Sequence, residues 1–369
     1  MKNEKILKWL IYLSGILCLY AFVSVRSLPL FNAILKEKMI PGYWDKTKYG
    51  ELYYFSMINK FKEKGLPPAQ KKYQYKSKNA SLNNADIFVF GDSFFDFSRH
   101  TQFAERLSDT LNAKVHYYYG DYPLMVLAEN HYQSTRPKVL LYERVERYIP
   151  MVFENKNTAD YEVDDRSAFR KRIGNVKDKI FYKRSEELFD ALLKRSYLTT
   201  GIYSCIATVK FDVFRYISPL TPVYSADKEK PWLFYSDQTN GEKTSFYYHH
   251  SEADMNNYCD HMADLAAQLK EEYNIRLIYL PLPAKYTLYH NFVNHDKYND
   301  FLPELYKGLR KRGVEFIDVF DDFKNSDDIL YYRTDSHWNE KGIEMAFNKT
   351  MEYFRKDSTL KKYYNQNKP

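Results

Sequence analysis

The strongest constraint on this chain is an alternation of short apolar runs with stretches of helical period. Residues 87–90, Ile-Phe-Val-Phe, run into Gly91 and read as a buried strand. Phe103, Ala104, Leu107 and Leu111 then recur at helical spacing. A second strand is expected over 115–119, ended by Gly120, then a helix over 124–132 and a third strand over 139–142. Much later, Tyr258, Met262, Leu265, Ala266 and Leu269 mark one helix face, followed by a fourth strand over 275–280. Leu302, Leu305 and Leu309 mark another helix, with Gly313 suited to the left-handed position past its end. A fifth strand is expected over 314–319. Ile343, Phe347, Thr350, Met351 and Phe354 give a final helix, capped by Asn339. Strands separated by helices must cross back over the sheet. The predicted architecture is therefore α/β, with a mostly parallel five-stranded sheet covered on both faces.

The alternation fails between 151 and 250. That stretch holds a charged segment (156–184), a long helical region around 188–217, and an expected hairpin over 232–248 turning at Asn240-Gly241. It reads as an insertion or cap. Residues 27–80, rich in Lys and Tyr, read as a stalk, leaving 81–150 and 251–369 as the two parts of the main domain.

At the amino terminus, Lys2, Lys5 and Lys8 precede an uncharged run over 9–25, closed by Arg26. Seventeen helical residues span roughly 26 Å, near the lower limit for a hydrocarbon core. The leading lysines orient the start of the chain to the cytoplasm and the rest outside. An uncleaved N-terminal membrane anchor over 1–26 is the preferred reading and a cleaved signal peptide the rival. The preferred reading places the protein at the cell inner membrane, single-pass, with its main domain extracytoplasmic; on either reading everything after about residue 27 is exported. Three cysteines exclude a disulfide scaffold; Cys205 and Cys259 could pair or stay free, and Cys18 lies in the apolar run. The net charge of +7 comes from 55 basic residues spread among 48 acidic ones, a mixed surface with no nucleic-acid stripe.

Two short motifs carry chemistry. Gly91-Asp92-Ser93 follows the first strand directly, and ligands of parallel sheets gather at the carboxyl ends of strands. A serine there offers a hydroxyl and a backbone N–H suited to an oxyanion. Arg333-Thr334-Asp335-Ser336-His337-Trp338-Asn339 stands just before the last helix. An alkyl hydroxyl needs an adjacent base, usually imidazole, and that imidazole needs a carboxylate to fix its tautomer. Ser93, His337 and Asp335 are the candidate catalytic set. A capping loop, or two ligands of a metal site, are the alternatives for Asp335 and His337. No third group at ligand spacing supports a metal, and no cofactor is expected.

Together the motifs resemble the SGNH (GDSL-like) hydrolase superfamily, with Ser93 in its first block and Asp335/His337 in its last. Within it, residues 138–148 (Lys-Val-Leu-Leu-Tyr-Glu-Arg-Val-Glu-Arg-Tyr) look like the strand and "ER" segment of the alginate O-acetyltransferase AlgX/AlgJ family. Residues 280–285 (Leu-Pro-Leu-Pro-Ala-Lys), with Tyr289 after them, resemble that family's P-x-K…Y stretch, and 332–339 with Gly342 its D-x-H-W-N segment. The resemblance covers about 81–150 and 251–355. It implies a flavodoxin-like three-layer sandwich. The Asp–His spacing is D-x-H, and Ser93 precedes the pair, whereas in AlgX itself the pair comes first. Glu143 and Arg144 stand where the superfamily's third block has an asparagine. Oxyanion candidates are therefore the N–H groups of Ser93 and Gly120, with charge from Arg144 or Arg147. Substrate-binding candidates are Asp92, Lys285, Tyr289, Arg333 and Trp338.

The resemblance implies extracytoplasmic O-acetyl transfer onto polysaccharide hydroxyls through an acyl-serine. The acetyl donor would be supplied by a membrane-bound O-acyltransferase (MBOAT) partner. A carbohydrate acetyl esterase of the same fold and a non-catalytic glycan-binding assembly subunit are the competing readings.

Overall fold

The computed structural model describes residues 2–26, 50–63, 78–95, 102–133, 138–154, 200–225, 231–357 and 360. The expected charged segment at 156–184 and most of the stalk lie outside them. The chain divides into two compact units, one of residues 1–46, 57–59 and 164–216, the other of 47–56, 60–163 and 217–369.

The first unit contains helix α1 (Lys2–Arg26) and a helix at Thr200–Phe214. Ser204 of the latter donates to the Met57 carbonyl and to Asn59 Oδ1 at 2.8 and 2.6 Å. Both helices expose apolar side chains, among them Trp9, Leu10 and Leu13, and Ile202, Val213 and Phe214. The amino terminus is thus helical as expected. Among the described residues, however, no helix is long and apolar enough to cross a membrane, so the expected anchor is not supported as a span.

The second unit is built on a sheet of β1 (Lys78–Asn79), β2 (Ile87–Gly91), β3 (Lys114–Tyr119), β4 (Lys138–Val145) and one late strand at Ile275–Leu282. Their order is β1, β3, β2, β4 and then the late strand, with every neighbouring pair parallel. Residues 314–319 do not form the fifth strand expected of them. They touch the sheet through a single parallel bridge, Tyr279 to Phe316, and the fifth strand is the short β1 at the opposite edge. The expected hairpin is also displaced. Its two strands are β5 (Val223–Tyr224) and β6 (Leu233–Phe234), paired antiparallel, and Asn240-Gly241 is a plain turn. The late strand at Ile275–Leu282 is β7.

Strand period two sorts the core into two layers. Ile87, Val89, Leu141, Ile278 and Leu280 point to one face, Phe88, Phe90, Leu140, Leu277 and Tyr279 to the other. The first face is covered by the helices Phe103–Leu111 and Glu340–Lys356, through Leu107, Leu111, Phe347 and Phe354. The second is covered by Glu252–Tyr273 and Phe301–Lys311, through Tyr258, Met262, Leu302 and Leu305. The result is helix, sheet, helix, as parallel crossovers require. Each fully buried large side chain of this set contributes about 1.5–3 kcal/mol of transfer free energy.

The end signals read from the sequence operate as written. Asn339 Oδ1 accepts from the N–H groups of Lys341 and Gly342 and starts the last helix. Gly313 takes φ +69° just past Phe301–Lys311. All three cysteines are free thiols, and burial pushes that of Cys259 up to about 11.

Candidate active site

The turn after β2 and the loop before the last helix meet at the carboxyl edge of the sheet. Tyr331 and Trp338 bridge antiparallel, with the Tyr332 N–H on the His337 carbonyl and the Asn339 N–H on that of Leu330. This closes residues 332–337 into a tight loop that holds Asp335 and His337 on one side. His337 Nε2 lies 2.7 Å from Ser93 Oγ, and Nδ1 lies 2.6 Å from Asp335 Oδ1. A carboxylate only accepts, so Nδ1 carries the proton there and Nε2 is left to accept the Ser93 hydroxyl. Asp335 Oδ1 also accepts the His337 N–H at 3.0 Å. Asp335 is fully buried, His337 5% exposed, and Ser93 partly open. Phe94 packs against the imidazole, ring centres 4.9 Å apart. The structure thus brings together the three residues singled out for catalysis, although 244 positions separate Ser93 from His337.

The oxyanion candidates separate. The Ser93 N–H has no hydrogen-bond partner among the described residues, whereas those of Asp92 and Phe94 on either side are taken, by Glu143 and Asp92 respectively. The Gly120 N–H is spent on the Gly91 carbonyl at 3.2 Å and is not a free donor. Arg144 is likewise not available. It is fully buried, bonded to the carbonyls of Gly120 and Glu143, and ion-paired with Asp121 at 2.9 Å. Arg147 is different. Its guanidinium is buried against the Phe94 and Tyr148 rings, and Nη2 is 3.5 Å from Ser336 Oγ. Burial opposes its charge, but Tyr148, Asp92 and Glu51 hold the cation in place.

Of the substrate-binding candidates, Asp92, Lys285 and Trp338 are buried. Asp92 is buried and fixes the nucleophile turn by accepting from Phe94 N–H at 2.8 Å and Val145 N–H at 3.1 Å. Trp338 is 2% exposed, donates Nε1–H to the Phe94 carbonyl, and stacks near Phe95 and Phe103. Lys285 is fully buried and donates to the carbonyls of Leu233, Arg333 and Asp335 at 2.7, 2.7 and 2.9 Å. Burial brings its ammonium down to about 7, against the opposing pull of Asp335, Glu63 and Glu51. Tyr289 stacks on Trp232 and its hydroxyl accepts the Leu330 N–H at 2.8 Å. Arg333 pairs with Glu63 at 3.3 Å. These side chains hold the site; the sequence pattern gave them surface roles because burial is not written in it.

One group went unread. A helix at Glu51–Ser56, within the expected stalk, packs against the Asp–His loop. The N–H groups of Leu52 and Tyr53 donate to the Thr334 carbonyl, and that of Glu51 donates to Asp335 Oδ2 at 2.8 Å. The Glu51 carboxylate accepts from Ser336 Oγ and lies 3.5 Å from His337 Nδ1. Glu63 accepts from the N–H and hydroxyl of Thr334. The only signal was the apolar spacing Leu52, Tyr53, Ile58, Phe61, which is too short to separate from irregular structure. Glu51, Asp335 and His337 bring ligand-type atoms within 4.8 Å of one another. The 2.6 Å separation of Nδ1 and Oδ1 is that of a hydrogen bond, with no room for an ion between them.

A parallel sheet with a serine at one strand end and an Asp/His loop before the last helix is the arrangement expected of an SGNH hydrolase-like fold. Residues 228–368 match the family model described as the SGNH hydrolase-like domain of the acetyltransferase AlgX. The match contains Asp335 and His337 and supports an acetyltransferase or hydrolase-fold function. Comparison with curated proteins and with solved structures finds no match.

Proposed function

We propose that this protein transfers acetyl groups onto polysaccharide hydroxyls through an acyl-Ser93 intermediate. The observation that carries the reading is the relay Asp335–His337–Ser93, in a chain whose 228–368 segment is of the AlgX acetyltransferase type. Ser93 Oγ attacks the acetyl carbonyl while its proton passes to His337 Nε2. The bond to the donor's oxygen or sulfur breaks, and that leaving group takes the proton. An acceptor hydroxyl then loses its proton to Nε2 and attacks the acyl carbon, and Ser93 leaves reprotonated. The Ser93 N–H is the donor assigned to the developing oxyanion, with Arg147, buried over the Phe94 ring, as the remaining candidate cation.

The proposed place of action is outside the cytoplasmic membrane, with acetyl supplied by an MBOAT-type partner. The lysine-flanked amino terminus and the family resemblance support this reading. Accessibility of a C-terminal tag in intact cells checks it.

The enzymatic test is incubation of the full chain with a chromogenic acetyl ester. Mass spectrometry is expected to find one acetyl on Ser93, and S93A and H337A to lose at least ~10³-fold in kcat. Oligosaccharide acceptors are expected to outcompete water for the acyl group. Release to water alone would make the protein an esterase, and wild-type rates in both variants would end the reading.

A further inference from the structure

The geometry points to Glu51 as a positioning residue for the imidazole: a second carboxylate at the Nδ1 edge of His337, delivered by the N-terminal segment. The inference rests on the acyl-transfer reading above and adds a residue that neither motif contains.

Two observations carry it. The first is placement. Glu51 Oε1 is 3.5 Å from His337 Nδ1, beside the 2.6 Å bond to Asp335, and it also accepts from Ser336 Oγ. A protonated imidazole at that spot meets two carboxylates, and both flank the nitrogen that does not exchange protons with substrate. The second is fixation. The Glu51 backbone N–H grips Asp335 Oδ2 while the next two N–H groups grip the Thr334 carbonyl, so carboxylate and loop are held by the same short helix. Gly50 at φ +80° permits this approach, because a Cβ there would overlap the Thr334 carbonyl.

In acyl transfer the imidazole is cationic at the transition state and neutral before it. A partly buried anion 3.5 Å away favours the cationic form, and so lowers the barrier more than it stabilises the ground state. Other charged or titratable groups face the pair from the surrounding elements. They are Asp335 on the loop, Arg147 and Tyr148 after β4, Lys285 after β7, Tyr235 after β6, and Glu63 with Arg333. The carboxylates of Asp335 and Glu51 come to 2.6 and 3.5 Å from Nδ1.

The test uses the full chain. Glu51→Gln keeps the size of the group and an acceptor for Ser336 but removes the charge. Its kcat on an acetyl ester is expected to fall about tenfold with KM unchanged. The acid limb of its pH–rate profile is expected to move to lower pH, because the imidazole takes up its proton less readily without the second anion. The downfield Nδ1–H resonance of His337, followed by NMR through the same pH range, should move in the same sense without need of turnover. A packing role alone would leave both profiles in place. Superimposable profiles for wild type and Glu51→Gln, with S93A inactive, would overturn the role of Glu51 and leave acyl transfer standing. Equal rates for wild type and S93A would remove the acyl-transfer reading, and the resonance would still decide whether Glu51 acts on His337.

Discussion

Behind Ser93, the carboxyl groups of Asp92 and Glu143 face each other in the interior. Glu143 accepts the Asp92 N–H at 3.0 Å and is fully buried. Burial first, then the Asp92 charge, push its pKa well above the ordinary carboxylate range, with Arg144 pulling the other way. The folded chain therefore keeps a proton on Glu143 that the unfolded chain loses above about pH 4.5. Stability falls as pH rises through that window. Glu143→Gln removes the titration, and its amide can still meet Asp92. Its Tm is expected to exceed the wild type's at pH 7 by roughly 2–4 °C for each kcal/mol relieved, with the gap closing toward pH 4. Calorimetry at the two pH values measures this, and an unchanged gap would mean that Glu143 is ionised in the fold. At this scale the sequence is legible where chemistry dictates residue type. Ser93, Asp335 and His337 could be found because a hydroxyl, an imidazole and a carboxylate have few substitutes. Arg144 and Lys285 could not be sorted, since an arginine or lysine at a strand end looks the same whether it faces substrate or buried backbone carbonyls.

Among the elements, the one that shapes the site most is held by one buried cation. Lys285 begins the short helix after β7 and ties three carbonyls together: Leu233 of β6, and Arg333 and Asp335 of the Asp–His loop. Its ammonium lies 5.3 Å from the Trp232 ring centre and 5.2 Å from that of Phe234. Lys285→Met keeps the volume and strands the three carbonyls. The expected cost is about 3 kcal/mol of stability, at ~1 kcal/mol for each lost partner. Because the Asp335 carbonyl is among them, kcat is expected to fall ~10–100-fold. Denaturant melts and ester turnover read the two effects, and a variant as stable and active as wild type would show that the loop holds itself. The long helices were legible from their period, since several turns of apolar spacing outweigh local noise. The helix at Glu51–Ser56 was not. One and a half turns show no period, and its role depends on a partner more than 280 positions away.

Across the whole second unit, the segment that carries the family match does not contain the fold. Residues 228–368 supply β7, Asp335 and His337. Ser93 and the strands β1 to β4 come from residues 78–145, and β7 joins them by pairing along its full length with β4, from Lys138–Ile275 to Val145–Leu282. The alternation of strand and helix was readable for this sheet because β2, β4 and β7 are buried on both faces along nearly their whole length. The edge was misassigned, because the apolar run at 314–319 looks like a strand, and only the geometry of its neighbours limits it to one bridge. A sheet divided between distant segments sets a condition on folding: neither part completes the strand pairing alone. A chain restricted to 228–369 keeps helices that pack on β7 but has no β4 to satisfy the backbone groups of Ile275–Leu282. It is therefore expected to show no cooperative thermal transition and no acylation. Co-production with residues 47–163 is expected to restore a transition and the acyl adduct on Ser93. Cooperative melting of 228–369 alone would show that the Asp–His half is a domain in its own right and that the shared sheet forms after it.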